Sequence, residues 1–248
     1  MARNPVVGRD LAFTSPSSVH VTRTILRKDK INVRKALIAG ATGAIGSVLL
    51  KLLNDSDQYS EIHCIGRREP ASSSEKIKAH IVSADELDQF DLQEIIDDVF
   101  CTLGTTIKAA GSVESFKKVD RDYVHQVGKL AQRLNAKTCS VVSAIGANPG
   151  SSNYYNQTKG EAEDLLQNLG LSSLRIFRPS MLHGGRDEFR LKEAIGFVVL
   201  SIVSPLLRGP WKKYRAIHVE QVAKAMYESA RQDYPAVKIF ESDEIQCF

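Results

Sequence analysis

Ala36-Leu37-Ile38-Ala39-Gly40-Ala41-Thr42-Gly43-Ala44-Ile45-Gly46 is the stretch on which the fold of this chain turns. A short apolar run, of the length a buried strand takes, leads straight into Gly40, and an apolar helical pattern starts at Ile45. Glycines between a strand and a helix permit a tight turn, close approach of another group to the backbone, and close helix–strand contact. The unpaired N–H groups that open the helix, from Ala44 on, favour an anion such as a pyrophosphate. A glycine spacing alone usually marks only a loop. Placed at the start of a βαβ unit, Gly40, Gly43 and Gly46 point to a bound dinucleotide.

Outward from this stretch, short apolar runs alternate with longer helical patterns, as in a parallel sheet covered on both faces. Strands are predicted at 36–39, 61–65, 79–82, 99–103, 140–143 and 173–177, and helices at 45–53, 116–134 and 159–169. A strand at 215–219, a helix at 220–230 and a terminal strand at 236–240 follow. The predicted fold class is therefore α/β: a doubly wound parallel sheet of the Rossmann type, with a small C-terminal region covering the substrate. Residues 1–34 read as a flexible basic extension and 35–248 as a single domain. The segment 183–213 breaks the alternation and carries Gly209-Pro210-Trp211. It arrives where a substrate cover or a partner surface belongs, with a surface decoration of no function as the alternative. Its apolar part, 194–207, falls short of the roughly 20 residues that a spanning helix needs and contains Pro205, so no membrane span is expected.

Composition narrows the function less than pattern does. The net charge of +4 is uneven: residues 1–35 hold eight Lys/Arg against Asp10 and Asp29, leaving 25 basic and 27 acidic side chains in the rest. The basic balance thus lies in the leader, which argues against nucleic-acid binding by the body. Cys64, Cys101, Cys139 and Cys247 show no metal-ligand spacing, so no metal is expected. Three of them fall in apolar runs, where free cysteine behaves as a small hydrophobe, and a reducing compartment fits. The leader has no secretory core. It is Arg- and Ser/Thr-rich and poor in acids, loosely like an organellar transit peptide, but Pro5, Asp10 and Pro16 interrupt an amphipathic helix. The expected location is cytoplasmic, with organellar targeting as the lesser reading.

Two further places carry chemistry. The second strand ends in Ile65-Gly66-Arg67-Arg68, where an NAD site keeps a carboxylate for the ribose hydroxyls. Two arginines suit a 2′-phosphate, so the expected cofactor is NADP(H). Ser143, at the end of the fifth predicted strand, precedes Tyr155 and Lys159, which share a helix face at a spacing of four. Tyr234 and Lys238 repeat the spacing, but Pro235 and the following strand keep them from converging. A free phenol titrates at roughly 10, too high for neutral proton transfer, and a nearby ammonium favours the phenolate. The catalytic set read here is Ser143 on the substrate oxygen, Tyr155 as proton carrier and Lys159 on both the phenolate and the nicotinamide ribose. His183 and His218 are left out, since histidines beside a pocket are more often structural.

With these residues together, the chain from about Lys35 to Leu182 resembles the atypical or extended short-chain dehydrogenases/reductases, with a weaker match at 216–223. Within them it is similar to the Tat-interacting-protein family of small NADP-binding oxidoreductases. That likeness rests on Leu103-Gly104-Thr105-Thr106, Val119-Asp120-Arg121-Asp122-Tyr123, Tyr155-Asn156-Gln157-Thr158-Lys159-Gly160-Glu161 and Phe177-Arg178-Pro179. The resemblance implies that Leu103, Gly104 and Thr105 pass beside the ribose and adenine. It implies that Pro179 to Leu182, Met181 included, border the nicotinamide, and that Thr42 and Ile45 touch the pyrophosphate. It also suggests a homodimer. Three positions depart from the pattern: Ser83, with Asp85 beyond, where many relatives have an adenine-reading Asp; a lone Ser143 in Val142-Ser143-Ala144; and Asp120 where an Asn often joins the proton relay. The expected function is hydride transfer to or from a small carbonyl or alcohol. The alternatives are an NADPH-binding regulatory or protein-interaction module, and an isomerase or epimerase that uses the cofactor transiently.

Overall fold

A computed structural model describes residues 33–184 and 214–248, the unit that begins at Asn32. The basic extension, most of the 183–213 excursion and its apolar stretch lie outside the described residues. Labels below follow chain order over the described residues. Strands β1 (Arg34–Ala39), β2 (Tyr59–Gly66), β3 (Ile77–Ile81), β4 (Asp98–Cys101), β5 (Thr138–Val142), β6 (Leu174–Arg178) and β9 (Val237–Glu241) form one sheet. Its order is β3-β2-β1-β4-β5-β6-β9, and every pairing is parallel. The reversal of order lies beside β1, so the crevice at the carboxyl ends of β1 and β4 faces the glycine turn.

Helices α1 (Ala44–Asp55), α6 (Val219–Ser229) and the short α7 (Ser242–Ile245) cover one face, and α4 (Val124–Arg133) and α5 (Tyr154–Gln167) the other. A strand buried on both sides must be apolar throughout rather than alternating. β1 obeys this: Ala36, Leu37 and Ile38 are fully buried, Ala36 and Ile38 under α1 and Leu37 towards α4. Cys64, Cys101 and Cys139 are buried free thiols, as read from the sequence. Burial pushes Cys64 up to about 12 and Cys101 up to about 11, which keeps both protonated and inert.

Three predicted elements change shape. The helix expected at 116–134 begins earlier, as α3 (Val113–Lys117), and passes through a π turn (Lys118–Tyr123) before α4. The helix expected from 159 starts at Tyr154, because the Asn153 side chain caps it, accepting from the backbone N–H of Tyr155 at 2.9 Å and of Asn156 at 3.3 Å. The strand expected at 215–219 shrinks to β8 (Ile217–His218), paired with β7 (Leu182–His183), since the His218 side chain already caps α6. A four-residue helix, α2 (Ile107–Ala110), follows β4 and had no apolar period to announce it.

Candidate active site

Gly40 leaves β1 with φ +91°, in the left-handed region that a side chain resists. A Cβ there would also lie 2.9 Å from Thr102 Oγ1, whose hydroxyl approaches the carbonyls of Ala39 and Gly40 at 3.1 Å each. Gly43 N–H donates back to Gly40 O at 2.9 Å, which closes the turn. Gly46 is needed for contact: its Cβ would stand 2.1 Å from the Gly40 carbonyl oxygen, which is backbone and cannot swing away. The sequence therefore seats the start of α1 directly on the end of β1. No side chain caps α1 at Gly43, and Thr42 and Gly43 are exposed, so the first N–H groups stay open to an anion. Ile45 is buried in the core, which leaves only its backbone for the contact that the resemblance implied.

At the end of β2, Arg67 and Arg68 are both exposed, and neither side chain has a partner among the described residues. Two unspent guanidinium groups beyond the carboxyl end of β2 can meet a phosphate. Ser83, beyond β3, is part of a capping box with Glu86, and Asp85 binds Lys118 Nζ at 2.8 Å and accepts from Tyr123 Oη at 3.2 Å. Asp85 is thus engaged with the π turn.

The core of the site joins three elements far apart in sequence. Asp120 sits in the π turn with only 1% of its surface exposed. One carboxylate oxygen accepts from Thr105 N–H, just past β4, at 2.9 Å; the other lies 2.7 Å from Lys159 Nζ on α5. The Lys159 ammonium is the partner that Oδ1 has. Gly104 packs beside the pair: a Cβ there would lie in ordinary contact with Asp120 Oδ1, at 3.4 Å, and Lys159 Nζ, at 3.8 Å. Burial alone pulls Lys159 down, but the Asp120 carboxylate and the nearby Tyr155 phenol outweigh it, so its value is raised and it stays charged. Tyr155, one turn earlier on α5, is half-buried and stacks on Phe116 with ring centres 5.4 Å apart. The structure therefore brings Tyr155, Lys159, Gly104 and Thr105 together. It adds Asp120, a partner that the sequence reading had set aside because the relay pattern has Asn there.

Ser143 is placed otherwise than expected. Its hydroxyl donates to Glu163 Oε1 at 2.5 Å, in a buried network where Glu163 also pairs with Arg178, and Arg178 with Glu241 at 3.0 Å. Its proton is spent on a carboxylate, so in this arrangement it has only lone pairs to offer a substrate. No local sequence signal marked Glu163, whose role depends on Arg178 arriving from β6. Beyond β6, Pro179 and Ser180 are buried, while Met181 and Leu182 are partly exposed. Pro179 O and Met181 O accept from the backbone of Ile145 and Ile217, which fixes this loop beside the end of β5. His183 and His218 face each other across β7–β8 with ring centres 5.1 Å apart. Among the described residues no group of His, Cys, Asp and Glu could hold a metal, and no helix is long and apolar enough to cross a membrane.

A glycine turn on an uncapped helix, at the switch point of a parallel sheet, defines a dinucleotide-binding protein. A family model described as NAD(P)H-binding matches residues 40–233. The chain is 34% identical over 206 residues to protein FMP52, mitochondrial, of Candida albicans, covering 79% of this chain and 87% of that protein. It is also 34% identical over 206 residues to protein HTATIP2 of Rattus norvegicus, covering 81% and 83%. The chain belongs to this Tat-interacting-protein-like NAD(P)H-binding family. Among solved structures, MoeE5 in complex with UDP-glucuronic acid and NAD shares the fold at a TM-score of 0.64 and 16% identity, over 83% of this chain and 75% of that one. The Helicobacter pylori ADP-L-glycero-D-manno-heptose-6-epimerase shares it at 0.61 and 14% identity, over 88% and 82%. One expectation falls here: the cytoplasmic location is overturned, because the FMP52 relatives are named mitochondrial.

Proposed function

We propose that the chain is an NADP(H)-dependent oxidoreductase acting on a small carbonyl or alcohol. The observation that carries this reading is the buried clasp of Thr105, Asp120 and Lys159 beside Tyr155. Ribose binding alone asks for the ammonium but not for a phenol beside it. Gly40, Thr42, Gly43, Ala44, Ile45 and Gly46 would hold the pyrophosphate, and Arg67 and Arg68 the 2′-phosphate. Leu103, Gly104 and Thr105 would flank the ribose and adenine, and Pro179, Met181 and Leu182 the nicotinamide. The bound nicotinamide supplies or accepts the hydride.

Tyr155 gives its proton at Oη to a carbonyl oxygen in reduction and takes one from an alcohol in oxidation. Lys159 steadies the phenolate and turns its remaining N–H groups to ribose hydroxyls, while Asp120 positions it. Ser143 holds a carbonyl oxygen only after leaving Glu163, whereas it can accept from an alcohol without moving. A panel of carbonyl substrates scored by NADPH oxidation tests the reading. Tyr155→Phe is expected to lower turnover about 100-fold or more with NADPH still bound; an unchanged rate would refute it. The engagement of Ser143 by Glu163 favours a second reading, an NADPH-binding regulatory module. In that case NADPH binds and no member of the panel consumes it.

The setting that goes with this reading is mitochondrial, after the FMP52 relatives. Residues 1–34 fused to a fluorescent reporter are expected to carry it into mitochondria, and a diffuse signal would count against their role in targeting.

A further inference from the structure

At the amino ends of the strands, opposite the glycine turn, one face of the sheet becomes polar. The register sets Asp98 beside Thr138, and Ser140 beside Arg175. Asp98 is fully satisfied there, by Arg34 and Thr138 at 2.6 Å each and Tyr59 Oη at 2.7 Å. Arg175 is not. Only 2% of it is exposed; Nη2 donates to Gln232 O at 2.8 Å, and the guanidinium lies 5.5 Å over the Tyr234 ring. Its Nε and Nη1 are buried with no partner, and so is the hydroxyl oxygen of neighbouring Ser173.

Arg175 and Ser173 line one cavity of about 330 Å³, under the turn that follows α6. The other charges around it do not resolve the deficit. Arg34 is committed to Asp98, and Lys137 to Asp97 at 2.7 Å. Arg231 donates to Gln58 at 2.9 Å, and Asp233 lines the wall without forming an ion pair to Arg175 among the described residues. A buried cation with unmet donors is costly unless water or an anionic oxygen meets them.

We propose that this cavity binds a small oxyanion, a carboxylate or phosphate group, held by Arg175 with the Ser173 hydroxyl as second donor. An anion there bridges β6 to the turn after α6, so it stabilises the fold as well as filling the cavity. The site is separate from the dinucleotide cradle, since the two lie at opposite ends of the strands.

Calorimetric titration of the full chain with inorganic phosphate and, separately, with acetate tests this, alongside melting curves. At least one anion is expected to bind saturably at one site and raise the melting temperature; the arm that responds names the class. Binding is expected to persist in the Arg67→Ala/Arg68→Ala double variant and to weaken about tenfold or more in Arg175→Gln. Should Arg175→Gln fail to fold, Ser173→Ala decides, with about threefold weakening expected. No saturable binding of either anion, binding that survives Arg175→Gln, binding lost with Arg67 and Arg68, or an affinity unmoved by Ser173→Ala would each overturn the proposal. So would a crystal structure grown with the anion that shows only water in the cavity.

Discussion

Lys159 is a buried cation with one carboxylate, Asp120, to hold its charge, and the pair sets its electrostatics. The ammonium is shared between Asp120 and the field at Tyr155, so it acts on the phenol more weakly than an unpaired charge would. Because the folded value of Lys159 is raised above its ordinary 10.5, the stabilisation from the pair is complete below that value. It is lost only as pH rises through the raised one. Asp120→Asn removes the largest support that opposes burial. It is expected to cost about 3 kcal/mol at neutral pH and to bring the alkaline loss of stability to lower pH. Urea midpoints from neutral to alkaline pH check both, and a midpoint unchanged across that range would remove Asp120 from the argument. At the other end of the cofactor groove, Arg67→Ala/Arg68→Ala is expected to weaken NADPH about tenfold or more and leave NADH unchanged. Fluorescence titration with both nucleotides measures this; tighter NADH binding by the unaltered protein would overturn the assignment of the arginines.

Among the elements, the β1–α1 junction was read from the sequence, whereas the start of α5 was expected at 159 and lies at Tyr154. Glycine at 46 is demanded by the approach of two backbones, so Gly46→Ala is expected to destabilise by about 2–3 kcal/mol and to weaken NADPH binding with it. A folded variant with full nucleotide affinity would mean that the contact is not what shapes the cradle. The start of α5 depends on the Asn153 cap, and Asn153→Ala is expected to cost about 1 kcal/mol, seen in thermal melts. The glycine turn was legible because its rule is local: strand, glycine, helix. The π turn was not. A single apolar pattern runs through 116–134, and periodicity does not register the one extra residue per turn that aims Asp120 at Lys159. The short strand β7 was equally silent, since it exists only by pairing with β8, itself a remnant of the strand expected at 215–219.

At the scale of the whole molecule, acid is the expected weakness. His63 and His80 stack on adjacent strands, with Nδ1 and Nε2 2.9 Å apart, near the β3 edge of the sheet. Burial pushes both below the ordinary 6.5; Glu61 opposes this for both, and the two rings repel when charged. The unfolded chain therefore binds protons first, so stability is complete above about 6.5 and falls as pH drops through the lowered folded values. His80→Gln is expected to flatten the loss, measured as denaturant midpoints between neutral and mildly acid pH. A slope equal to that of the unaltered protein would place the acid weakness elsewhere.

By itself the sequence determined the α/β class, the places along the chain of the first six strands, the glycine turn between β1 and α1, the two arginines after β2 and the buried thiols. Each of these follows from a short apolar run, a period of 3.6 residues, or a turn rule that acts within a few positions. Only the tertiary structure decided that Asp120 is the partner of Lys159, that Ser143 is spent on Glu163, and that Arg175, in the wall of a cavity, keeps two buried donors unmet. Those facts depend on which side chains meet across strands and helices distant in the chain. Charge, hydrogen bonding and burial at such meetings are set by packing, and packing has no period to read.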